Sequence, residues 1–489
     1  MGLKVGFDND KYIRMQSEHI RERVCEFGDK LYLELGGKLF DDYHASRVLP
    51  GFQPDSKIKM LMQMKDKLEI LIVISASDIV KNKVRSDYNI TYDLDTIRLI
   101  NAFRGLGLLA ESVVITKYKG QAAVDVFKKR LENMGIRVYK HYCIEGYPSN
   151  IEHIVSDDGF GKNEFVETKK PIVVVTAPGP GSGKMATCLS QLYHENKRGI
   201  KAGYAKFETF PVWNLPLKHD VNLAYEAATV DLNDVNMIDP FHLEAYGETT
   251  VNYNRDIEVF PVLNAMFEKI LGESPYKSPT DMGVNMAGNC IIDDDVVRRA
   301  SKAEIIRRYY QVLKDKTNGK CDNESILKME LIMKQAGVTA NDREVALAAN
   351  KKAEATGKPA CAIQLTDGRI VTGKTSSLLG ASSAALLNAL KAIADIDDSA
   401  HLISPVVIEP VQNLKTNHLG SKNPRIHMDE TLIALSICAA SDKVAKNALD
   451  GLGQLKGAEA HTTVILSEVD ELMFKKLGIN LTSEAVYDK

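Results

Sequence analysis

The segment Ile172-Val-Val-Val-Thr-Ala-Pro-Gly-Pro-Gly-Ser-Gly-Lys-Met185 constrains this chain more than any other. A β-branched run reads as a buried strand, the glycines as a tight turn, and the residues from about Gly183 to Asn196 as a helix. Glycines let a backbone curl so that successive N–H groups point inward at an anion. The helix adds the positive end of its dipole, and a lysine adds a full charge. The spacing approaches G-x-x-x-x-G-K-[ST], a phosphate-binding loop. With Gly183-Lys184 aligned on that motif, Pro178 stands where the first glycine belongs and Met185 where the Ser or Thr belongs. Pro178 and Pro180 have no N–H to donate. Met185 removes the hydroxyl that normally holds Mg²⁺, and Ser182 or Thr187 replaces it only with altered geometry. The loop is therefore expected to hold a nucleotide or another phosphorylated ligand through Thr176, Gly179, Gly181, Ser182, Gly183, Lys184 and Thr187, with the use of Mg²⁺ left open.

A second string, Gly368-Arg-Ile-Val-Thr-Gly-Lys-Thr375, fits the same pattern letter for letter. Its centre is β-forming and follows Asp367-Gly368, a strong hairpin-turn signal. A strand does not wrap a phosphate, so this match is expected to be a hairpin arm.

Around the loop the chain alternates apolar runs with helical periodicity. Leu68–Ser75, Ser112–Thr116, Ile136–His141, Pro171–Thr176 and Lys201–Phe207 read as strands, and 93–105, 121–134 and 183–196 as helices. That rhythm predicts a doubly wound α/β domain of P-loop or Rossmann-like type over residues 1–265. Residues 266–356 read as a mainly helical connector. Residues 357–489 read as a smaller C-terminal α/β subdomain: a hairpin at 360–375, a small-residue helix at 381–393, a strand at 402–408, a helix near 430–449 and a strand at 462–467.

Other polar groups cluster in irregular segments. Between Tyr32 and Gly51, Lys38, Tyr43, His44 and Arg47 are candidates to bind a substrate, since an Arg or Lys there clamps phosphate oxygens. Ser156–Lys162 reads as a surface turn, with a lid over the loop as the alternative. Lys206 and Glu208 end a strand, where α/β sheets place ligands. Glu208 and Arg255, with Lys184, are the catalytic candidates, Arg255 as a phosphate- or transition-state-binding arginine. Asp239, closing an apolar stretch, is the candidate Mg²⁺ carboxylate.

Composition bounds the partners. Of 489 residues, 62 are Lys or Arg and 65 Asp or Glu, for a net charge of -3, which leaves no basic excess for a nucleic-acid backbone. The apolar runs are too short to span a bilayer. The start MGLKVGFDNDKY shows no signal core, and Gly6 stands where a myristoylation signal wants Ser or Thr. Seven scattered cysteines without C-x-x-C pairs suit a reducing cytoplasm, and no Cys/His set has zinc spacing. Helices 380–393 and 432–440, small-residue or apolar on several sides, point to a homo-oligomer, a dimer or tetramer, joined partly through residues 360–489.

The stretches GGKLFDDYHASRVLPGF, TAPGPGSGKMATCLSQLYHE, AGYAKFETFPVWNLPLKHDVNLAYEAATVDL and NMIDPFHLEAYG resemble, along essentially the whole chain, the uncharacterised bacterial family catalogued as domain of unknown function eighteen-forty-six. The resemblance implies cytoplasmic proteins with an α/β N-terminal part and a separate C-terminal subdomain, and implies no reaction. The C-terminal order is similar to the deaminase-type fold without its H-x-E and P-C-x-x-C zinc signature. Two readings stay open: a phosphoryl-transfer or ATP-dependent ligase-type enzyme acting on a small phosphorylated molecule, or a non-catalytic sensor or scaffold that binds one.

Overall fold

The computed structural model describes residues 4–28, 30–37, 39–85 and 89–488. The chain divides into two compact units. One comprises Val5–Glu226 and Asp234–Ala300, the other Ala227–Asn233 and Ser301–Lys489. The division falls inside the 24-residue helix Asp294–Thr317.

The N-terminal unit is built on a seven-stranded sheet. Its strands are β1 (Leu31–Leu35), β2 (Leu68–Ser75), β3 (Leu109–Tyr118), β4 (Arg137–Tyr142), β5 (Ile172–Thr176), β6 (Gly203–Phe207) and β7 (Gly283–Val284), in spatial order β7-β6-β1-β5-β2-β3-β4. Every neighbouring pair is parallel. All residues of β1, β2 and β5 are buried, so both faces of the sheet are covered there. Helix α1 (Asn9–Glu26) packs on β6 and β7, and α2 (Tyr92–Gly105) on β2 and β3. On one face α3 (Lys184–Lys197) and α4 (Asn254–Leu271) form a single core with Tyr32, Val173, Val175 and Tyr204 through Leu189, Leu192, Phe260 and Phe267. The chain leaves β5 toward β6 and leaves the neighbouring β2 toward β3. Adjacent strands with diverging connections open a crevice at their carboxyl ends, the usual ligand position in such sheets.

The C-terminal unit carries a four-stranded sheet of β8 (Ala360–Gln364), β9 (Ile370–Lys374), β10 (Glu459–Thr462) and β11 (Asn480–Ser483), ordered β9-β8-β10-β11, with only β10 and β11 parallel. Helix α5 (Glu344–Thr356) packs against β8, β9 and β10, and α6 (Ala381–Ile393) against β8 and β9. Residues 370–374 are a hairpin arm, so the Walker-like string 368–375 is extended backbone, as its β-branched centre predicts. Gly373 faces the start of α6 so closely that a Cβ would lie 2.2 Å from the Ala385 nitrogen.

Three expectations are corrected in this unit. Residues 402–408 do not form a strand; Pro405–Asn413 is a helix with proline in its first turn. Proline's fixed φ suits that position and outweighs the β-branched Val406, Val407 and Ile408. The strand expected at 462–467 ends at Thr462. The apolar surface expected on α6 is covered within the unit, because its Ser382, Ser383, Ala385, Leu386, Ala389 and Leu390 are all buried. Exposed apolar side chains occur instead on several other segments of the unit, among them α7 (Met428–Ala439), at Ile433 and Ile437.

Candidate functional site

The loop 177–183 joins β5 to α3 at the carboxyl edge of the sheet. Gly181 (φ +74°) and Gly183 (φ +92°) are left-handed, and Gly183 caps α3. The left-handed cap turns the chain so that Lys184 opens the helix. The first-turn N–H groups of a helix have no helical acceptors. Gly179 is required for a different reason: a Cβ there would lie 2.2 Å from the Tyr92 hydroxyl. The loop is braced from β3, where Thr116 Oγ1 donates to the Ser182 carbonyl (2.6 Å) and Lys117 Nζ to the Gly181 carbonyl (3.4 Å). Ser182 Oγ donates to the Gly179 carbonyl (2.7 Å) and Thr187 Oγ1 to the Gly183 carbonyl (3.0 Å). Both hydroxyls considered as substitutes for the missing Ser/Thr are thus engaged with backbone.

Lys184 reaches across to β1. Its Nζ lies 3.7 Å from Glu34 Oε1, while Glu34 Oε2 accepts from the Tyr204 hydroxyl at 2.9 Å. Burial, then the Glu34 carboxylate, push the Tyr204 phenol and the Cys188 thiol well up. Glu34 is the register partner of Lys206 on β6, so the two stand on one face. The Lys206 ammonium bonds Glu208 Oε1 (2.9 Å), Asp256 in the first turn of α4, and the Tyr253 hydroxyl. Tyr253 donates to Glu208 Oε1 at 3.0 Å. Burial would lower the Lys206 ammonium, but Asp256 and Glu208 outweigh it and hold it well above its ordinary range. Burial pushes the Glu208 carboxyl up; Lys206 pulls it back, and the Asp256 charge adds to the rise.

An aromatic wall adjoins this cluster. Phe210 stacks on Tyr225 (centroids 5.6 Å, 11°), His44 meets Phe210 edge-on at 5.4 Å, and Tyr225 lies 6.4 Å from Tyr253. Three segments far apart in sequence, around His44, Glu208 and Tyr253, therefore meet. Beside them Lys57, buried and 2.8 Å from Asp42, holds that carboxyl below its usual range despite burial.

Arg255 borders this cluster, its guanidinium 5.7 Å from the centre of the Tyr253 ring. Arg255 forms a two-pronged pair with Asp234 (2.6 and 2.8 Å). Asp239 is fully buried as the cap of the helix Pro240–Tyr246, accepting from the N–H groups of Phe241, His242 and Thr280 and from the Thr280 hydroxyl. Those bonds occupy both of its oxygens. Tyr43 is exposed, Arg47 lies in the short helix Tyr43–Val48, and Lys38 lies outside the described residues. The 156–162 turn is no lid. Phe160 is buried in the core, and Asp157 bonds Tyr193 and Lys197 at the opposite end of α3 from the loop. Among the described residues no group of three His, Cys, Asp or Glu is placed to hold a metal, and no helix is long and apolar enough to cross a membrane.

Sequence reasoning missed Glu34, Phe210 and Tyr225, whereas Tyr253 and Asp256 belong to the polar string 252–256 that it read as binding a second substrate. Glu34 sits in the strand LYLEL, where a single carboxylate amid apolar residues was the available signal.

The fold is thus that of an α/β protein with a parallel seven-stranded sheet and a separate mixed α/β unit. Residues 5–337 match the family model described as "Domain of unknown function DUF1846, N-terminal" and residues 341–489 its C-terminal counterpart, so the chain belongs to that family. It is 58% identical over 488 residues to a UPF0371 protein of Corynebacterium aurimucosum, which spans 100% of this chain and 98% of the relative. It is 56% identical over 483 residues to a UPF0371 protein of Streptococcus pyogenes serotype M5, at 99% and 98% coverage. A Corynebacterium diphtheriae relative shares 58% over 486 residues, at 99% and 98%.

Proposed function

We propose that the protein binds a small phosphorylated molecule, a nucleotide such as ATP or a phosphometabolite, at the carboxyl edge of β1, β5 and β6, and acts on it as an enzyme of phosphoryl-transfer or ligase type. The observation that carries this is Lys184, opening α3 from a left-handed glycine at the point where the sheet's connections diverge. A backbone turn needs no lysine there. The winding supports a P-loop or Rossmann-like reading of the N-terminal sheet, and the C-terminal hairpin–helix order supports a deaminase-like one without zinc. Lys184 holds the anion, and the buried Lys206, Glu208 and Tyr253 beside it supply groups that bind or shift a proton, as catalytic centres do. Arg255, tied to Asp234, serves by holding the Tyr253–Asp256 segment. The seven cysteines are all free thiols, which accords with work in the cytoplasm, and the exposed Ile433 and Ile437 support a homo-oligomer.

One observation favours the second reading, a non-catalytic sensor. With Met185 after the lysine and the Ser182 and Thr187 hydroxyls buried and turned to backbone carbonyls, the loop presents no exposed hydroxyl to Mg²⁺. Thermal-shift and calorimetric titration with a nucleotide panel, with and without Mg²⁺, tests both. Binding with turnover supports the enzyme, Mg²⁺-independent binding without turnover supports the sensor, and no binding removes the proposal.

A further inference from the structure

The proposed site has a charge balance that a phosphate makes worse. Among the described residues, the inner cluster sets two ammonium groups, Lys184 and Lys206, against three carboxylates, Glu34, Glu208 and Asp256, one negative charge in excess before any ligand enters, with the solvent-exposed Lys117 as a further cation at the loop. The neighbouring Arg255–Asp234 pair cancels itself. The surrounding tyrosines, Tyr204, Tyr225 and Tyr253, are kept neutral by burial first and by nearby carboxylates second. Buried charges without compensation are costly, so an arriving anion must bring a cation or neutralise a carboxylate.

We infer that the site takes up one proton with each phosphate ligand it binds, and that the proton resides on Glu208. This rests on the phosphate-binding reading above. Glu208 is the carboxyl placed to take the proton. Its Oε1 is fixed by the Lys206 ammonium and the Tyr253 hydroxyl, whereas its Oε2 accepts no hydrogen bond among the described residues. Asp256 stands on the far side of Lys206 on α4, and Tyr225 approaches from the helix Asp220–Ala228. From β7 no charge reaches it. Gly283 backs Oε2, where a Cβ would lie 3.5 Å away and 2.5 Å from the Trp213 ring. Burial, then the Asp256 charge, raise the Glu208 carboxyl against the pull of Lys206, and a further anion on Lys184 adds to that rise. Linkage makes the effect mutual: a proton on Glu208 raises the affinity for the anion by the factor by which the anion raises proton affinity.

The test uses the full-length protein with pyrophosphate as the probe. Calorimetric titrations near neutral pH in two buffers of different ionisation heat count the protons, and a series from about pH 6.5 to about pH 8.5 gives the affinity profile, for wild type and Glu208→Gln. The variant sees the same titration of the probe itself, so the difference belongs to Glu208. The expected result is about one more proton taken up by wild type, and an affinity that falls by up to about tenfold per pH unit more steeply than in the variant. Equal proton counts and equal slopes overturn the inference and leave phosphate binding standing. If Glu208→Gln does not fold, the wild-type count corrected for the probe's own ionisation decides, with zero overturning the inference. Absence of pyrophosphate binding by wild type at every pH overturns the phosphate reading and this inference together.

Discussion

Glu34 and Lys206 are register partners on the neighbouring strands β1 and β6 and stand side by side on one face of the sheet, Glu34 buried and Lys206 partly so. From that pair the polar network runs to Lys184 on one side and to Asp256, Glu208 and Tyr253 on the other. The loop and the lysine–carboxylate cluster are therefore two ends of one buried array, and each is open to separate test.

Lys184→Ala removes the positive charge that opens α3 at the loop and leaves the exposed Lys117 on the Gly181 carbonyl in place. Charge-assisted hydrogen bonds contribute about 1.5–3 kcal/mol, so affinity for the best-binding phosphate ligand is expected to fall roughly tenfold to a hundredfold. Lys374→Ala, in the hairpin arm that matches the loop motif by letters alone, is the control and is expected to leave affinity unchanged. Isothermal titration of the two variants against wild type decides; equal affinity of Lys184→Ala and wild type removes the loop from the site.

The loop glycines differ in what they tolerate. A Cβ on Gly179 would collide with the Tyr92 hydroxyl at 2.2 Å, whereas on Gly181 it would meet nothing within 4 Å and cost only the strain of φ +74°. Gly181→Ala is expected to destabilise by about 1–2 kcal/mol and Gly179→Ala by about 2–4 kcal/mol, since the second must move a buried tyrosine or the loop itself. Urea unfolding of both checks the order, which a larger loss for Gly181→Ala would reverse.

Much of this arrangement was legible in the residues. The run PIVVVT, the glycines and Lys184 gave strand, turn and helix in order because local periodicity and backbone freedom decide those elements. The hairpin at 360–374 followed from Asp367-Gly368. What stayed hidden depends on tertiary contact: nothing in LYLEL says that Glu34 meets Lys206, since strand pairing lies outside local pattern. Asp239 and the 405–413 helix were missed for another reason. Asp239-Pro240 and Ser404-Pro405 are both cap-and-proline helix starts, and the apolar residues beside them drew a different reading.

His141 sets a pH dependence unrelated to the site. It is buried in β4, its Nε2 lies 3.2 Å from the Glu164 carbonyl, and burial pushes it down from 6.5 to about 3. A histidine depressed in the folded state gives stability that is whole above the unfolded value of 6.5 and is lost as pH falls toward 3. The slope approaches about 1.4 kcal/mol per pH unit across that window. Stability of His141→Asn, measured by denaturant titration at several pH values, is expected to start lower near neutrality and to show a shallower acid slope than wild type. Parallel slopes would show that His141 does not titrate in this way.

Arg343 pins the C-terminal sheet. Its buried guanidinium donates to Glu459 (2.7 Å), to the Thr482 hydroxyl (2.8 Å) and to the carbonyls of Ala460 and Asn480 (3.0 and 3.1 Å), tying β10 to β11. Arg343→Met strands these acceptors, with Arg307 left to pair Glu459 at 2.8 Å. Removing one partner from a buried pair costs about 3–5 kcal/mol, and a loss toward the lower end is expected because Arg307 remains. Differential scanning calorimetry should show the loss, and an unchanged melting profile would contradict it.

The last prediction concerns assembly. With α6 covered inside its own unit, α7 is one helix that leaves large apolar side chains to solvent. Ile433 and Ile437, one helical turn apart, are 61% and 55% exposed, while Met428, Thr431, Ala434 and Leu435 fill the core from the opposite side. The helix Pro405–Asn413 packs against α7 and leaves Val406 78% exposed. Each large apolar side chain kept from water contributes about 1.5–3 kcal/mol, and a two-fold contact covers the same residues on both copies at once. A homo-oligomer, dimer or tetramer, joined partly through α7 is the expected state in solution. Light scattering across a wide concentration range should give a multiple of the 54.1 kDa chain mass, and Ile433→Glu with Ile437→Glu should return it to the monomer value without loss of the folded signal. A monomer mass for wild type at every concentration refutes the assembly, and an oligomer that survives the double change places its interface elsewhere.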